Sequence, residues 1–190
     1  MIPGYNHHGR WSPGGGGVGM VSQDWPEGWI SQSMRFHGPS VVSCKIVYGD
    51  QRTPLIVVYF RTSNLDHLLD LDEALNLFFG RNPVVLGDLN ADIGCLRNPH
   101  NQQVAEFLAS FGLVDLLGHF RQRPRFCHLH MWWKVLQGRV LRSHCDYVLG
   151  SDRWLFNTVG IWDPRKFASD HFALCARLLR RPTLFHVGEL

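Results

Sequence analysis

Lysine is scarce in this chain: it stands only at Lys45, Lys134 and Lys166, and arginine supplies the rest of the 19 basic residues. Against 16 acidic residues that leaves a net charge of +3, too mild to demand nucleic acid, since a dedicated DNA-binding module usually shows a stronger basic bias. The preference for arginine suits bidentate phosphate contacts and ordinary ion pairs equally. Paired cysteines are lacking too. Five, at 44, 95, 127, 145 and 175, are odd in number and scattered, which argues against a disulfide framework and for a reducing compartment. Cys127, His128, His130, His144 and Cys145 imitate a zinc site, but there is no Cys-x-x-Cys, and His144 and Cys145 are neighbours on a strand that point to opposite faces. No apolar run approaches the ~20 residues of a membrane span, and the start lacks the apolar core of a signal peptide. A soluble, intracellular protein without a membrane partner is expected. There is no internal repeat, and the only low-complexity stretch is Gly14 to Gly17.

What is present is enough for one domain: 190 residues, 45% of them hydrophobic, with twelve phenylalanines. Residues 1–17 read as an irregular, flexible lead-in with little apolar surface to bury. Gly14, Gly16 and Gly19 formally match a dinucleotide-binding fingerprint, but Pro13 and not a strand precedes them, and that context removes the cofactor reading. The domain proper is expected over 18–183, with a tail at 184–190. Strands are expected near 18–22, 30–36 and 41–48, with Gly49-Asp50 turning a hairpin into 54–60. Ser63 or Asn64 is placed to cap a helix carrying Leu68, Leu71, Leu75 and Phe78 at helical spacing, closed by Gly80 and Pro83. Its Asp66, Asp70, Asp72 and Glu73 read as a solvated acidic face. Asn101 is placed to cap a second helix whose inner face is Val104, Phe107, Leu108 and Phe111, ended by Gly112. Gln137-Gly138 suits a hairpin turn into the strand bearing Asp146, and an apolar strand is expected over 172–179.

The chemistry gathers at strand ends. Pro83, Val84, Val85 and Leu86 form a short apolar run suited to a strand buried on both faces. It runs into Gly87 and then Asp88 and Asn90, which on an extended chain point the same way. Arg142-Ser-His-Cys-Asp-Tyr-Val-Leu-Gly150 sets Asp146 among strand-forming residues, and Asp170 and His171 stand just before the last apolar strand. A carboxylate in a buried sheet is costly unless paired, hydrogen-bonded or bound to a cation. Three of them, with Asn90 and His171 adjoining, point jointly to a metal-assisted hydrolytic site beside an imidazole.

Gly-Asp-Leu-Asn at 87–90, Cys-Asp-Tyr-Val-Leu at 145–149 and Ser-Asp-His at 169–171 resemble, in order and separation, the three C-terminal motifs of the endonuclease/exonuclease/phosphatase superfamily, which includes deoxyribonuclease I and the apurinic/apyrimidinic endonucleases. Gly-Asp-Leu-Asn-Ala, Phe-Gly-Leu-Val-Asp-Leu-Leu at 111–117 and Trp-Trp-Lys ahead of Arg-Val-Leu-Arg-Ser look most like the endonuclease domain of non-LTR retrotransposons. The resemblance implies a deoxyribonuclease I-like α/β sandwich of two packed mixed sheets flanked by helices. It implies Mg²⁺ (or Mn²⁺) as cofactor, DNA as partner and substrate, the reverse transcriptase of a retrotransposon polyprotein as a further partner, and a nuclear location. Residue by residue, it implies Asp170 as metal ligand, Asp88 to orient or deprotonate water, and Asn90 to hydrogen-bond the phosphate or that water. His171 would donate to a phosphate oxygen, Asp146 would orient His171, and Tyr59, at the end of Leu-Ile-Val-Val-Tyr, would be a supporting donor. Phe60-Arg61-Thr62 departs from the Tyr-x-Pro usual after that tyrosine.

Arg121, Arg123 and Arg125, held open by Pro124 and followed by Trp132 and Trp133, combine phosphate-binding residues with aromatics able to stack or wedge, as a nucleic-acid groove does. A surface loop anchored by a core tryptophan explains them equally well. The superfamily opens with strands carrying a site Asn and a metal-binding Glu, and Glu27, in the turn Trp-Pro-Glu-Gly-Trp, matches neither. An N-terminally truncated domain with its opening strands missing and its activity impaired is the expectation. The alternatives are an inactive remnant, a nucleic-acid-binding fragment, or a phosphomonoesterase built on the same motifs.

Overall fold

A computed structural model describes residues 5–11, 17–23, 29–48, 50–61, 65–116, 132–137, 139–151, 156–162 and 173–178. Strands β1 (Tyr5–Trp11) and β2 (Gly17–Gln23) form an antiparallel hairpin. Next come β3 (Trp29–His37), β4 (Val41–Tyr48), β5 (Gln51–Tyr59), helix α1 (Asp66–Leu77), β6 (Val84–Asp88) and α2 (Pro99–Ser110). A short β7 (Val114–Asp115) is followed by β8 (Trp132–Leu136), β9 (Arg139–Ser143), β10 (Asp146–Gly150), β11 (Phe156–Trp162) and β12 (Ala173–Leu178).

Six strands make one sheet in the order β3-β4-β5-β6-β10-β7. β5 and β6 pair in parallel and every other neighbour pair is antiparallel, so the sheet is mixed. A parallel pair needs a crossover, and α1 supplies it. Pro54, inside a central strand, is tolerated because the ladder to β6 begins one residue later, at Leu55↔Val84.

The alternation along β5 separates the faces. Ile56 and Val58 face a core shared with Val41, Val85, Tyr147 and Leu149, with Leu71, Ala74, Leu75 and Phe78 from α1 and its end, and with Val104 and Leu108 of α2. Each such large side chain removed from water contributes about 1.5–3 kcal/mol. The opposite face carries Leu55, Val57 and Tyr59 of β5 and, in register with them, Val84, Leu86 and Asp88 of β6. Two of the hairpins come towards that sheet: β2 lies near β4 and β5, and β12 near β10.

Several expectations are corrected. Tyr5–Trp11, within the stretch read as an irregular lead-in, is strand β1, because a backbone ladder with Gly17–Gln23 forms without needing apolar side chains. The first helix is capped at Leu65 with no side-chain bond, and Ser63 and Asn64 lie outside the described residues. The second helix starts at Asn98, whose side chain accepts the His100 N–H at 2.9 Å, followed by Pro99 at the first helical position. Asn101 is instead buried within the helix, accepting from Asp92 N–H and donating to the Cys95 carbonyl. The acids of α1 do not all face water. Glu73 stays exposed while pairing with Arg35 at 3.1 Å, but Asp70 is pressed against Gly38, whose φ of +64° and missing Cβ leave room for its carboxylate. The turn at Gln137 joins β8 to β9, not directly to the strand of Asp146, which begins after His144 and Cys145.

Candidate active site

β6 is the innermost element of the site. Flanked by β5 and β10, it must be apolar for most of its length, and its only charged side chain, Asp88, comes at its last residue. Register then gathers the other groups. Asp88 is opposite Tyr59 on one side and Asp146 on the other. Partners in register project from the same face, so Tyr59, Asp88 and Asp146 share the face away from the helices, at one end of the sheet.

The loop leaving β6 is built from local bonds. Asp88 Oδ1 accepts the backbone N–H of Asn90 at 2.7 Å, Asp92 Oδ1 that of Gly94 at 3.2 Å, and Asn98 Oδ1 that of His100 at 2.9 Å. These are three side-chain turns in succession, the preference of Asp and Asn for bonding backbone two residues on. Asn90 is therefore not extended. It takes a left-handed φ of 49°, which Asn tolerates better than most residues, and its Nδ2 donates to the Phe60 carbonyl at 3.2 Å. Its exposed amide turns beside the 9% exposed Asp88 instead of stacking parallel to it.

Tyr147, which sequence reasoning passed over, anchors this loop from below. It alternates with Asp146 and so lies on the helix face, 1% exposed. Its hydroxyl accepts from Ile93 N–H at 3.0 Å and shares its one proton between the Ala91 and His144 carbonyls, while the His144 ring stacks on it at 4.5 Å. Burial pushes the phenol well above its usual range, with Asp92 and Asp115 adding to the rise, so it stays a neutral donor. The signal was an aromatic with a hydroxyl inside an apolar strand, which must find polar partners when buried. Tyr147→Phe is expected to cost about 1–3 kcal/mol, because Ile93 N–H loses its acceptor. Denaturant unfolding measures this, and an unchanged midpoint would contradict the anchoring role.

Cys145 sits between the acids. Its Sγ lies 3.6 Å from Asp146 Oδ2, and burial first, then the charges of Asp88 and Asp146, hold the thiol strongly protonated. Such a thiol is no nucleophile. Two carboxylates on one face at a strand end are hard oxygen donors suited to a divalent cation with bound water. Among the described residues no three His, Cys, Asp or Glu side chains converge as a ligand group, so a cation held here needs a further acid or a substrate oxygen. Asp170, His171, Arg121, Arg123 and Arg125 lie outside the described residues. Trp133 is described as backbone only, paired with Arg142 in the β8–β9 hairpin.

No protein-family model matches the sequence, and a search of curated proteins finds no relative. Solved structures do match. The endonuclease domain of TRAS1, a telomere-specific non-LTR retrotransposon, aligns with a TM-score of 0.72 at 14% identity over 95% of this chain and 83% of its own. The 3′ phosphatase NExo from Neisseria, bound to product DNA hairpin, aligns with a TM-score of 0.68 at 20% identity, covering 93% and 80% of the two chains. TDP2 from D. rerio, complexed with single-strand DNA product, gives 0.61 at 13% identity over 91% and 76%. The chain has the deoxyribonuclease I-like α/β fold shared by proteins of the endonuclease/exonuclease/phosphatase type. Among the described residues no helix is long and apolar enough to cross a membrane.

Proposed function

We propose that the protein hydrolyses phosphodiester bonds in DNA with the help of Mg²⁺ or Mn²⁺, in the manner of a retrotransposon endonuclease. The observation that carries this reading is the register that sets Tyr59, Asp88 and Asp146 on one face at one sheet end, with Asn90 tied to Asp88. In a fold whose neighbours include nucleases and a phosphatase, that end joins the Gly-Asp-Leu-Asn motif to the Cys-Asp-Tyr-Val-Leu motif.

Asp88, with Asn90 N–H already on Oδ1, orients or deprotonates the attacking water. Asn90 offers its exposed amide to the phosphate or to that water. Asp146, across from Asp88, fixes the tautomer of His171, which donates to a phosphate oxygen as charge develops. Tyr59 adds a hydroxyl donor from β5. Asp170 would hold the cation with help from the neighbouring acids, and the cation would neutralise charge on the phosphate oxygens and lower the pKa of bound water. With Asp170 as its one clear ligand, Mg²⁺ would be held weakly and turnover would be slow. The second reading is a DNA-binding fragment without hydrolysis, built on the arginines and tryptophans of the segment 121–133.

Two substrates separate the readings. Cleavage of a short duplex with little release of phosphate from a small aryl phosphomonoester supports an endonuclease, the reverse supports a phosphatase, and binding without either supports the fragment. DNA contact is assigned to the segment from Arg121 to Trp133. Arg123→Ala and Arg125→Ala should each weaken duplex binding alike for all sequences and lower the steepness of its salt dependence by roughly 1 unit of the log–log slope. Binding titrations at several salt concentrations check this, and unchanged slopes in both variants contradict it.

A further inference from the structure

A group of polar side chains lies beside the proposed site, where α1 meets the turn between β3 and β4. His67, Asp70 and Glu73 recur every three residues along α1 and face that turn. His37 Nε2 bonds the buried Ser43 Oγ at 2.8 Å, and its Nδ1 is 3.2 Å from Glu73 Oε1, near enough for attraction but not aligned as a hydrogen bond. Ser43 is fully buried, so this serine and histidine cannot meet a substrate. They fasten the helix to the sheet.

His67 is placed differently. Its Nε2 lies 3.2 Å from the Arg61 backbone nitrogen, whose N–H it accepts in the tautomer with the proton on Nδ1, and 3.4 Å from the Arg61 carbonyl, while its Nδ1 is 2.7 Å from Ser40 Oγ. The ring stacks on Phe60 with centroids 5.4 Å apart. The residues it touches lead directly to the site. Ser40 C=O accepts the Tyr59 N–H at 2.9 Å, and Phe60 N–H donates to the Asp88 carbonyl at 2.8 Å. Phe60 C=O receives the Asn90 amide at 3.2 Å. Asp70 holds the Ser40 backbone from the same helix, and burial raises the pKa of its carboxyl.

We propose that His67, through Ser40, Phe60 and Arg61, is a positioning residue that fixes Tyr59 and Asn90 beside Asp88. The inference rests on the proposed function for its catalytic consequence but not for its structural one. An apolar ring of similar size would fill the space. Only an imidazole bonds Ser40 at one edge and the Arg61 backbone at the other, tying the turn before β4 to the exit of β5. Without those bonds Phe60 can shift on its neighbours, and a misplacement of order 1 Å at a reacting group costs roughly 10²-fold in rate.

The test compares wild type, His67→Phe and His67→Gln in the full chain. His67→Phe keeps a ring against Phe60 and removes both hydrogen bonds, and the glutamine amide retains an acceptor for Arg61 N–H. Amide exchange should quicken at Tyr59, Phe60 and Asn90 in His67→Phe while Val85 and Val148, in the centre of the same sheet, keep their protection. In Mg²⁺-dependent plasmid nicking, kcat should fall roughly 10- to 100-fold with little change in KM, and His67→Gln should recover part of both. Unchanged exchange at the three amides, exchange raised equally throughout the sheet, or altered exchange with unchanged kcat would each overturn the proposal. If His67→Phe does not fold, the same comparison of His67→Gln with wild type decides. A wild-type protein that does not nick DNA refutes the proposed function and leaves the exchange pattern to decide the role of His67.

Discussion

Replacement of Asp88 by Asn should lower Mg²⁺-dependent DNA nicking by roughly 10²- to 10⁴-fold, the usual cost of losing a positioned acid or base, while leaving the fold intact. The amide keeps an oxygen for Asn90 N–H, which the carboxylate now accepts at 2.7 Å, so the loop after β6 retains its turn. What disappears is the charge that faces water or cation, and with it the ability to take a proton. Asp88→Ala removes the turn as well and should cost at least as much activity, with a drop in unfolding midpoint that Asp88→Asn does not show. Activity and denaturant unfolding measured on both variants separate the two contributions. Equal nicking by Asp88→Asn and wild type would remove Asp88 from the mechanism.

The second large effect is structural. Gly87 has a φ of 133°, and a Cβ built on it would overlap the backbone carbonyl of Val58 in β5. Since β5 pairs there with β6 through Val58↔Gly87, that carbonyl cannot retreat without opening the parallel ladder next to Tyr59 and Asp88. Gly87→Ala should therefore cost on the order of 3 kcal/mol, combining backbone strain with overpacking of about 1–3 kcal/mol each. Chemical denaturation measures it. A loss below about 0.5 kcal/mol, the ordinary range for an uncritical substitution, would show that the strands accommodate a methyl group.

The glycine was readable in the sequence as a place of close backbone approach, but its neighbour was not. The approach is to β5 and not to a ligand, because parallel pairing of distant strands is a tertiary fact. Where local pattern governs, the sequence was legible: the β4–β5 hairpin and the run of β6 follow from alternation and turn residues. The second helix shows a competition between local signals. Asn98-Pro99 is a stronger start than Asn101, and the latter was freed to clamp the loop after β6. β11 escaped notice because Asn157 and Gly160 interrupt its apolar residues and its ladder with β12 is irregular near Phe156 and Thr158. Asp70 looked solvent-facing, since nothing local reveals that the turn at Gly38 packs on α1. Of the site, Asp88 and Asp146 were legible as acids at strand ends. Tyr147 and His67 were not, because their roles depend on partners 54 and 27 residues away.

The central claim is that hydrolysis occurs where β5, β6 and β10 end together. Nicking of supercoiled plasmid by wild type and Asp146→Ala, across a Mg²⁺ titration and with a chelator control, tests it most directly. The account predicts chelator-sensitive nicking by wild type that needs high Mg²⁺ to saturate, and a loss of roughly 10²-fold or more in Asp146→Ala that added Mg²⁺ does not restore. Chelator-resistant nicking, or equal nicking by the two proteins, would contradict it.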